Sequence, residues 1–258
     1  MKKISQTVFN IGLFAGLPAG EGDYIARAVD ALVAGGIQGV ILSWNKHLFP
    51  VVEQVRATHK ELMIGIQGPY AHSGQLFASG ANFVIDTANV PARIQIPFFL
   101  RRGNDILEGD KILAQCTNKL VFVSDLKQQK WDEITLRAQH AIKSFLGFEL
   151  RHVGINHPDA SAAQKTADQF ERFFGFAKTD KGGAYFAGSY IEAMKKSFYG
   201  THGHIAIATN NAARAAWYLT QRGAQFNWKS ADYNPDGSLR VVYLQDEIAG
   251  FAVHIVQK

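Results

Sequence analysis

Short apolar runs alternate with segments of helical periodicity over the first 150 residues. Residues 24–34 carry apolar positions at helical spacing and end at Gly35-Gly36, so they predict a helix followed by a stop. Strands that alternate with helices are typical of a parallel α/β sheet. The predicted strands are 10–15, 40–44, 62–66, 82–86, 94–100 and 119–124. Apolar residues from 8 to 15 favour a first buried strand over a signal peptide, because Asn10 interrupts the run.

The pattern changes after a long amphipathic segment at 131–146. From residue 148 onward the order is a strand, a helix and then several strands, and this order occurs twice. Helices are predicted at 162–174 and 212–222, each after Ser, Asp or Asn residues that suit an N-cap. Asn234-Pro235-Asp236-Gly237 predicts a hairpin turn between strands. The second half is therefore a repeated βαβββ unit, and the predicted domains are 1–147 and 148–258.

Two matching phrases support the repeat. RHVGI at 151–155 and GHIAI at 203–207 each place a histidine, His152 or His204, at the start of a short apolar strand. Scattered polar residues in strands have no reason to recur in matching positions. A duplicated unit can instead bring such groups to one point between its copies.

A second ligand-type residue follows each histidine. Glu192 lies 40 residues after His152, and His254 lies 50 residues after His204. A carboxylate within an apolar strand, as at Glu192, must be paired or solvated. The pattern predicts one metal site with four ligands, which are His152, Glu192, His204 and His254.

Composition narrows the function classes. The chain has 258 residues, 47% of them hydrophobic, and lacks an apolar run of the roughly 20 residues that a membrane span needs. A single cysteine, Cys116, excludes an internal disulfide and a thiolate metal cluster, and it favours a reducing cytoplasm. The net charge of +5 is spread along the chain without long basic runs, so an anionic small substrate is favoured over nucleic acid.

Residues 148–258 resemble the vicinal oxygen chelate superfamily, which includes glyoxalase I, extradiol dioxygenases and methylmalonyl-CoA epimerase. The segments that carry the resemblance are 152–155, 189–194, 203–207 and 250–255. The resemblance implies that His152, Glu192, His204 and His254 hold one divalent ion, which this donor set allows to be Zn, Fe, Ni or Mn. His254 stands where glyoxalases have a second glutamate, so the glyoxalase reaction is not carried over.

Residues 8–125 resemble the aldolases of 2-keto-3-deoxy-6-phosphogluconate and 4-hydroxy-2-oxoglutarate, most visibly at 31–40, 80–85 and 96–99. The resemblance implies a (β/α) barrel that is incomplete here. Ile41 and Asn45 replace the family's catalytic glutamate and substrate-binding arginine. Lys119 aligns with its Schiff-base lysine.

The preferred hypothesis is a metal-dependent lyase, isomerase or dioxygenase that acts on a small hydroxy or oxo acid through an enolate-like intermediate. One alternative is a Schiff-base aldolase that uses Lys119. Another is a metabolite-binding protein without turnover. An incomplete parallel sheet exposes strand edges, so a homodimer is expected.

Overall fold

A computed structural model describes residues 2–20, 22–68, 73–87 and 97–258. The chain divides into two compact units, Met1–Phe145 and Leu146–Lys258. The first contains a closed barrel and the second an eight-stranded sheet, which confirms the predicted combination of α/β and α+β architecture. Within the described ranges, no helix is both long enough and apolar enough to cross a bilayer.

Seven strands close the barrel in sequence order. The strands are β1 Leu13–Leu17, β2 Gly39–Ser43, β3 Met63–Gln67, β4 Phe83–Asp86, β5 Phe98–Arg102, β6 Asp105–Glu108 and β7 Lys111–Thr117. Strands β1 to β5 are parallel to one another, β6 is antiparallel to both β5 and β7, and β7 pairs in parallel with β1. The barrel thus closes through an antiparallel hairpin instead of through further βα units.

Aromatic side chains fill the barrel. Phe83 packs edge to face against Phe14 and against Phe99, and all three are buried. Cys116 lies in the same core, where burial raises the pKa of its thiol to about 11 despite the nearby Arg101. The helices of this unit are α1 Lys2–Ile11, α2 Gly22–Ala34, α3 Leu48–Thr58, α4 Ser73–Ala78, α5 Val123–Gln128 and α6 Trp131–Leu146. Helices α2 and α6 confirm the predictions at 24–34 and 131–146.

The predicted first strand at 10–15 was wrong over its first half and right from Leu13 to Ala15. Residues 2–11 form the amphipathic helix α1, which packs Val8 onto the barrel core, and β1 begins only at Leu13. Gly12 separates the two elements with a φ of 68°, a left-handed conformation that favours glycine. The apolar positions of α1 recur at helical spacing, but in such a short segment they also resemble a strand.

The prediction of a strand at 119–124 was also wrong. This segment leaves the barrel after β7 and leads into α5, with the Phe122 backbone N–H donating to the Asp125 carboxylate at 2.9 Å. The β6 and β7 hairpin was missed because its exposed charged residues hide the apolar alternation. Residues 94–96 of another predicted strand lie outside the described ranges.

The closed barrel removes the reason given for a homodimer. The expected open edges of an incomplete parallel sheet are absent from the described first unit, because β7 pairs with β1. The dimer itself stays a prediction.

The second unit confirms the repeated βαβββ pattern. The first copy is β8 Glu149–Asn156, α7 Ala160–Phe174, β9 Lys178–Asp180, β10 Ala184–Ala187 and β11 Ile191–Met194. The second copy is β12 Gly203–Thr209, α8 Ala212–Thr220, β13 Phe226–Tyr233, β14 Leu239–Leu244 and β15 Phe251–Gln257. The sheet has the order β13-β14-β15-β12-β8-β11-β10-β9, with the first strands of the two copies, β8 and β12, antiparallel at the centre.

Side-chain caps start both helices of this unit. The Asp159 carboxylate accepts the Ala162 N–H at 2.8 Å, and the Asn211 side chain accepts the Arg214 N–H at 3.0 Å. Such caps satisfy backbone donors that a helix start leaves free. The predicted turn at 234–237 joins β13 to β14.

Candidate metal centre

Strand register makes the two copies equivalent at the centre of the sheet. His152 pairs with Ala206 across β8 and β12, and His204 pairs with Gly154. The two histidines therefore occupy the same place in their copies. On the outer sides, Glu192 of β11 lies beside Gly154, and His254 of β15 lies beside Ala206.

Three of the predicted ligand atoms form a small triangle. Nε2 of His152 and Nε2 of His204 are 3.1 Å apart, and Oε2 of Glu192 is 3.1 Å from the first and 3.0 Å from the second. Hydrogen atoms cannot satisfy all three edges. If both rings donate to the carboxylate, their N–H groups meet head to head along the third edge.

His254 forms a second group with the two histidines of the triangle. One nitrogen each of His152, His204 and His254 lies within 4.8 Å of the others. His254 is only 5% exposed, and within the described chain neither of its ring nitrogens makes a hydrogen bond. Leaving both polar atoms of a buried ring unpaired costs several kcal/mol, on the order of 1–3 for each. Such a ring is placed to give a lone pair to an ion.

The electrostatics leave Glu192 and His254 in the forms that bind metal. Burial opposes the charge of Glu192, but hydrogen bonds from His152 and His204 outweigh it and lower the pKa to about 2. Burial, reinforced by His204 and His152, lowers the pKa of His254 to about 3. At neutral pH the carboxylate is charged and His254 is a neutral imidazole, as coordination requires.

The donor set fits a divalent transition metal. Imidazole nitrogen and carboxylate oxygen bind such ions at about 2.0–2.2 Å, so neighbouring ligand atoms lie about 3.0 Å apart in an octahedral shell and about 3.4 Å apart in a tetrahedral one. The triangle edges of 3.0–3.1 Å agree with these spacings. The triangle of His152, His204 and Glu192 thus has the chemistry and spacing of neighbouring metal ligands, and a nitrogen of His254 lies within 4.8 Å of both histidines.

Packing holds the rings in place. An added Cβ at Gly154 would lie 2.0 Å from Cε1 of His204, so only glycine leaves room for that ring. Tyr243 stacks on His254 with ring centroids 4.5 Å apart. Because Nδ1 of His204 is buried without a hydrogen bond in the described chain, this packing orients the ring, a role that a hydrogen-bond acceptor on the second ring nitrogen usually has.

Two aromatic rings flank the centre in equivalent positions. Phe186 pairs with Glu192 across β10 and β11, and Tyr243 pairs with His254 across β14 and β15. Phe186 meets the His152 ring edge to face at 5.9 Å. Burial, followed by the Glu192 charge, raises the pKa of Tyr243 well above its usual value, so its hydroxyl stays protonated.

Sequence reasoning did not identify Gly154, Phe186 or Tyr243. Gly154 does lie inside the matching phrase RHVGI, where the second copy has Ala206. That difference between the copies was the available signal. The aromatic pair had none, because Phe186 and Tyr243 stand at unequal distances from the histidines along the chain.

The positions that align with the catalytic residues of the aldolases lie in the first unit, and they do not form a catalytic group. Lys119 is exposed and follows the end of β7, where its backbone N–H donates to Thr117 Oγ1 at 3.2 Å. Ile41, in place of the family's glutamate, is buried in the barrel core. Within the described residues, no acid or base forms a hydrogen bond or an ion pair with the Lys119 side chain.

Comparisons with known proteins give distant structural neighbours. No family model matches the chain, and no curated protein matches it. The aldolase of 2-keto-3-deoxy-6-phosphogluconate from Legionella pneumophila matches the N-terminal half at 13% identity and a TM-score of 0.47, covering 54% of this chain and 98% of its own. The corresponding Zymomonas mobilis enzyme matches at 12% identity and a TM-score of 0.39, covering 52% and 94%.

The other half has a different neighbour. Methylmalonyl-CoA epimerase from Mycobacterium tuberculosis matches at 13% identity and a TM-score of 0.31, covering 44% of this chain and 89% of its own. Both resemblances seen in the sequence recur among these neighbours. The similarity is too distant to carry a function, which rests on the geometry of the centre.

Proposed function

We propose that the second unit is a metal-dependent enzyme that acts on a small hydroxy or oxo acid. The observation that carries the proposal is the triangle of His152 Nε2, His204 Nε2 and Glu192 Oε2 with edges of 3.0–3.1 Å, closed by the buried His254. A divalent cation satisfies all of these lone pairs at once, which protons cannot do. Zn, Fe, Ni and Mn all accept this donor set.

Charge and shape favour an anionic substrate. Three neutral imidazoles and one carboxylate leave a divalent ion with about one net positive charge. Lys181 adds a cation nearby, because its Nζ lies 4.4 Å from the centre of the Phe186 ring. The Phe186 and Tyr243 rings provide apolar walls for the carbon skeleton.

The chain's own residues supply binding and orientation. When bound, the ion supplies Lewis acidity toward the oxygen atoms of a hydroxy or oxo acid. Tyr243 stays protonated and offers its hydroxyl as a donor beside His254. Glu192 stays ionised, so its negative charge lies beside the imidazoles of His152 and His204. Lyase, isomerase and dioxygenase reactions all belong to the proposal, since one scaffold supports several chemistries.

Compartment and assembly form part of the same proposal. We place the enzyme in the reducing cytoplasm because Cys116, its single cysteine, is a buried free thiol. A homodimer acting on a small molecule, without nucleic acid or membrane, completes the hypothesis.

Metal content tests the proposal directly. Untagged protein is stripped with a chelator, reconstituted with Zn²⁺, Mn²⁺, Fe²⁺ or Ni²⁺, and analysed by inductively coupled plasma mass spectrometry. We expect about one ion per chain, and loss of that ion in His152→Ala and Glu192→Gln. His202→Ala removes an exposed imidazole two residues from His204 and should keep the ion. A wild-type protein that takes up none of these ions refutes the proposal.

Turnover then separates an enzyme from a binding protein. Metal-loaded protein is incubated with a panel of hydroxy and oxo acids, and the products are followed by NMR. If an acid binds tightly and remains unchanged, the non-catalytic alternative is correct. Consumption that disappears in Glu192→Gln supports the enzyme.

A further inference from the structure

Arg101 is a buried cation in the barrel unit, far along the sequence from the metal centre. It is 8% exposed, and its hydrogen bonds to the described residues all go to neutral acceptors. Its Nε donates to the Gly103 carbonyl at 3.0 Å, Nη1 to Gln67 Oε1 at 2.5 Å and Nη2 to Asn118 Oδ1 at 3.3 Å. Among the described residues, no carboxylate forms an ion pair with it. A buried charge without a counterion is costly, so an anionic ligand bound beside Arg101 would offset that cost.

Arg101 also fixes the direction of two side-chain amides. A guanidinium only donates, so the oxygens of Gln67 and Asn118 must face it. Their NH₂ groups are therefore turned away from the cation and remain available as donors. In the described structure neither NH₂ group makes a hydrogen bond of its own. The positive charge behind them strengthens both donors.

These amides line a cavity at one end of the barrel. The cavity has a volume of about 220 Å³ and is lined by Gly16, Leu17, Pro18, Ile41, Ser43, Gln67, Asn118 and Val121. Leu17, Ser43 and Gln67 are the last residues of three parallel strands. The carboxyl ends of barrel strands are where barrel proteins bind their ligands.

We propose that this cavity binds a small carboxylate, with its oxygens on the Gln67 and Asn118 amides and its charge balanced by Arg101. A single guanidinium and two amide donors match a monoanion. The apolar walls formed by Leu17, Ile41 and Val121 suit a short carbon chain. At about 220 Å³ the cavity is below the usual range of about 300–1,000 Å³ for drug-sized ligands, so its ligand has few atoms. The site shares no residue with the metal centre. Ile41, at the position of the aldolases' catalytic glutamate, contributes only an apolar wall, and Asn45 and Lys119 are not among the lining residues.

The sharpest test replaces Asn118 by Asp. This isosteric change places a carboxylate against Arg101, so it supplies inside the protein the charge that the ligand would bring. The full-length protein, first dialysed against a chelator, is titrated with sodium propionate while backbone amide shifts of Gly16 and Ser43 are followed by NMR. We expect saturable shifts in the wild-type protein and at least about tenfold weaker binding in Asn118→Asp.

Stability gives an independent readout of the same variant. Because Arg101 gains a partner, the Tm of Asn118→Asp should rise, by about 2 °C or more, while ligand affinity falls. Gln54→Glu adds the same charge at an exposed position of α3 and should change neither quantity. Arg101→Met should also abolish binding, although its folding must be checked first.

Three results would overturn the proposal. One is a wild-type protein without saturable shifts at Gly16 and Ser43. Another is unchanged propionate affinity in Asn118→Asp. The third is tighter binding of inorganic phosphate than of propionate, since that would identify a phosphate site instead of a carboxylate site.

Discussion

Replacing Gly154 by Ala tests the metal centre through packing alone, without altering any ligand. The added Cβ would lie 2.0 Å from Cε1, 2.3 Å from Nδ1 and 2.5 Å from Nε2 of His204. To reach ordinary contact distance the ring must retreat by more than about 1 Å. Metal–ligand distances tolerate only about 0.2 Å, so His204 is lost as a ligand.

The expected magnitude follows from that displacement. Loss of one of four ligands should weaken metal binding by about 100-fold or more, which corresponds to about 2.7 kcal/mol. Overpacking should also cost about 1–3 kcal/mol of unfolding free energy, offset by about 0.4–1 kcal/mol from the reduced freedom of the unfolded chain. The variant should therefore fold and yet bind metal poorly.

Competition titration measures the effect. Metal-free protein is titrated with Zn²⁺ against a chromophoric chelator, and circular dichroism checks the fold and Tm. Gly183→Ala is the matched control, because an added Cβ there meets no atom within 4 Å and its φ lies outside the left-handed region. The control should bind like wild type and be equally or slightly more stable.

One outcome would refute the reasoning. If Gly154→Ala folds like the wild-type protein and binds Zn²⁺ within about threefold of its affinity, His204 is not a ligand. Weak binding in both glycine variants would instead point to a general loss of structure in the sheet.

Three other predictions use the same structure. The pKa of His254 is about 3 in the folded protein and 6.5 in the unfolded chain. The free energy of unfolding of the metal-free protein should therefore be highest above pH 6.5 and fall by about 1.4 kcal/mol per pH unit as the pH decreases toward 3. Urea unfolding at pH 7, 6 and 5 measures this loss, and a free energy of unfolding that does not change with pH contradicts the prediction. In His254→Phe the free energy of unfolding should depend less on pH. Asp125→Asn should cost about 2–4 kcal/mol in urea unfolding, because the buried carboxylate pairs with Arg137 and accepts a helix-start N–H. Glu133→Gln, at a carboxylate 52% exposed, should cost less than about 1 kcal/mol. Lys119 should give no adduct when the protein is treated with borohydride and a 2-oxo acid, and a labelled Lys119 in mass spectrometry would restore the aldolase alternative.

Local pattern was enough to predict much of the fold. Helices α2 and α6 and the repeated βαβββ order were readable because hydrophobic periodicity and capping residues act over a few neighbours. The same held for His152 and His204, which stand in matching phrases 52 residues apart. Helix α1 and the hairpin of β6 and β7 were missed, since short amphipathic segments fit more than one element.

The tertiary structure decided which residues share a site. Glu192 and His254 lie 40 and 50 residues after their histidines, and only the strand register makes them equivalent, beside Gly154 and Ala206. The register also brings Phe186 and Tyr243 to the flanks of the centre. Hydrophobic alternation specifies which face of a strand is buried, but it does not specify which residue of another strand lies opposite.

In the first unit, barrel closure also brings residues that are distant in sequence into one site. Arg101, Gln67 and Asn118 are 17 to 51 residues apart, and nothing in their local sequence links them. They meet because parallel strands end at one rim and β7 returns to β1. The sequence by itself thus determined the elements, the duplication and the candidate donors, whereas the contacts among distant residues depended on register and closure, which are properties of the assembled sheets.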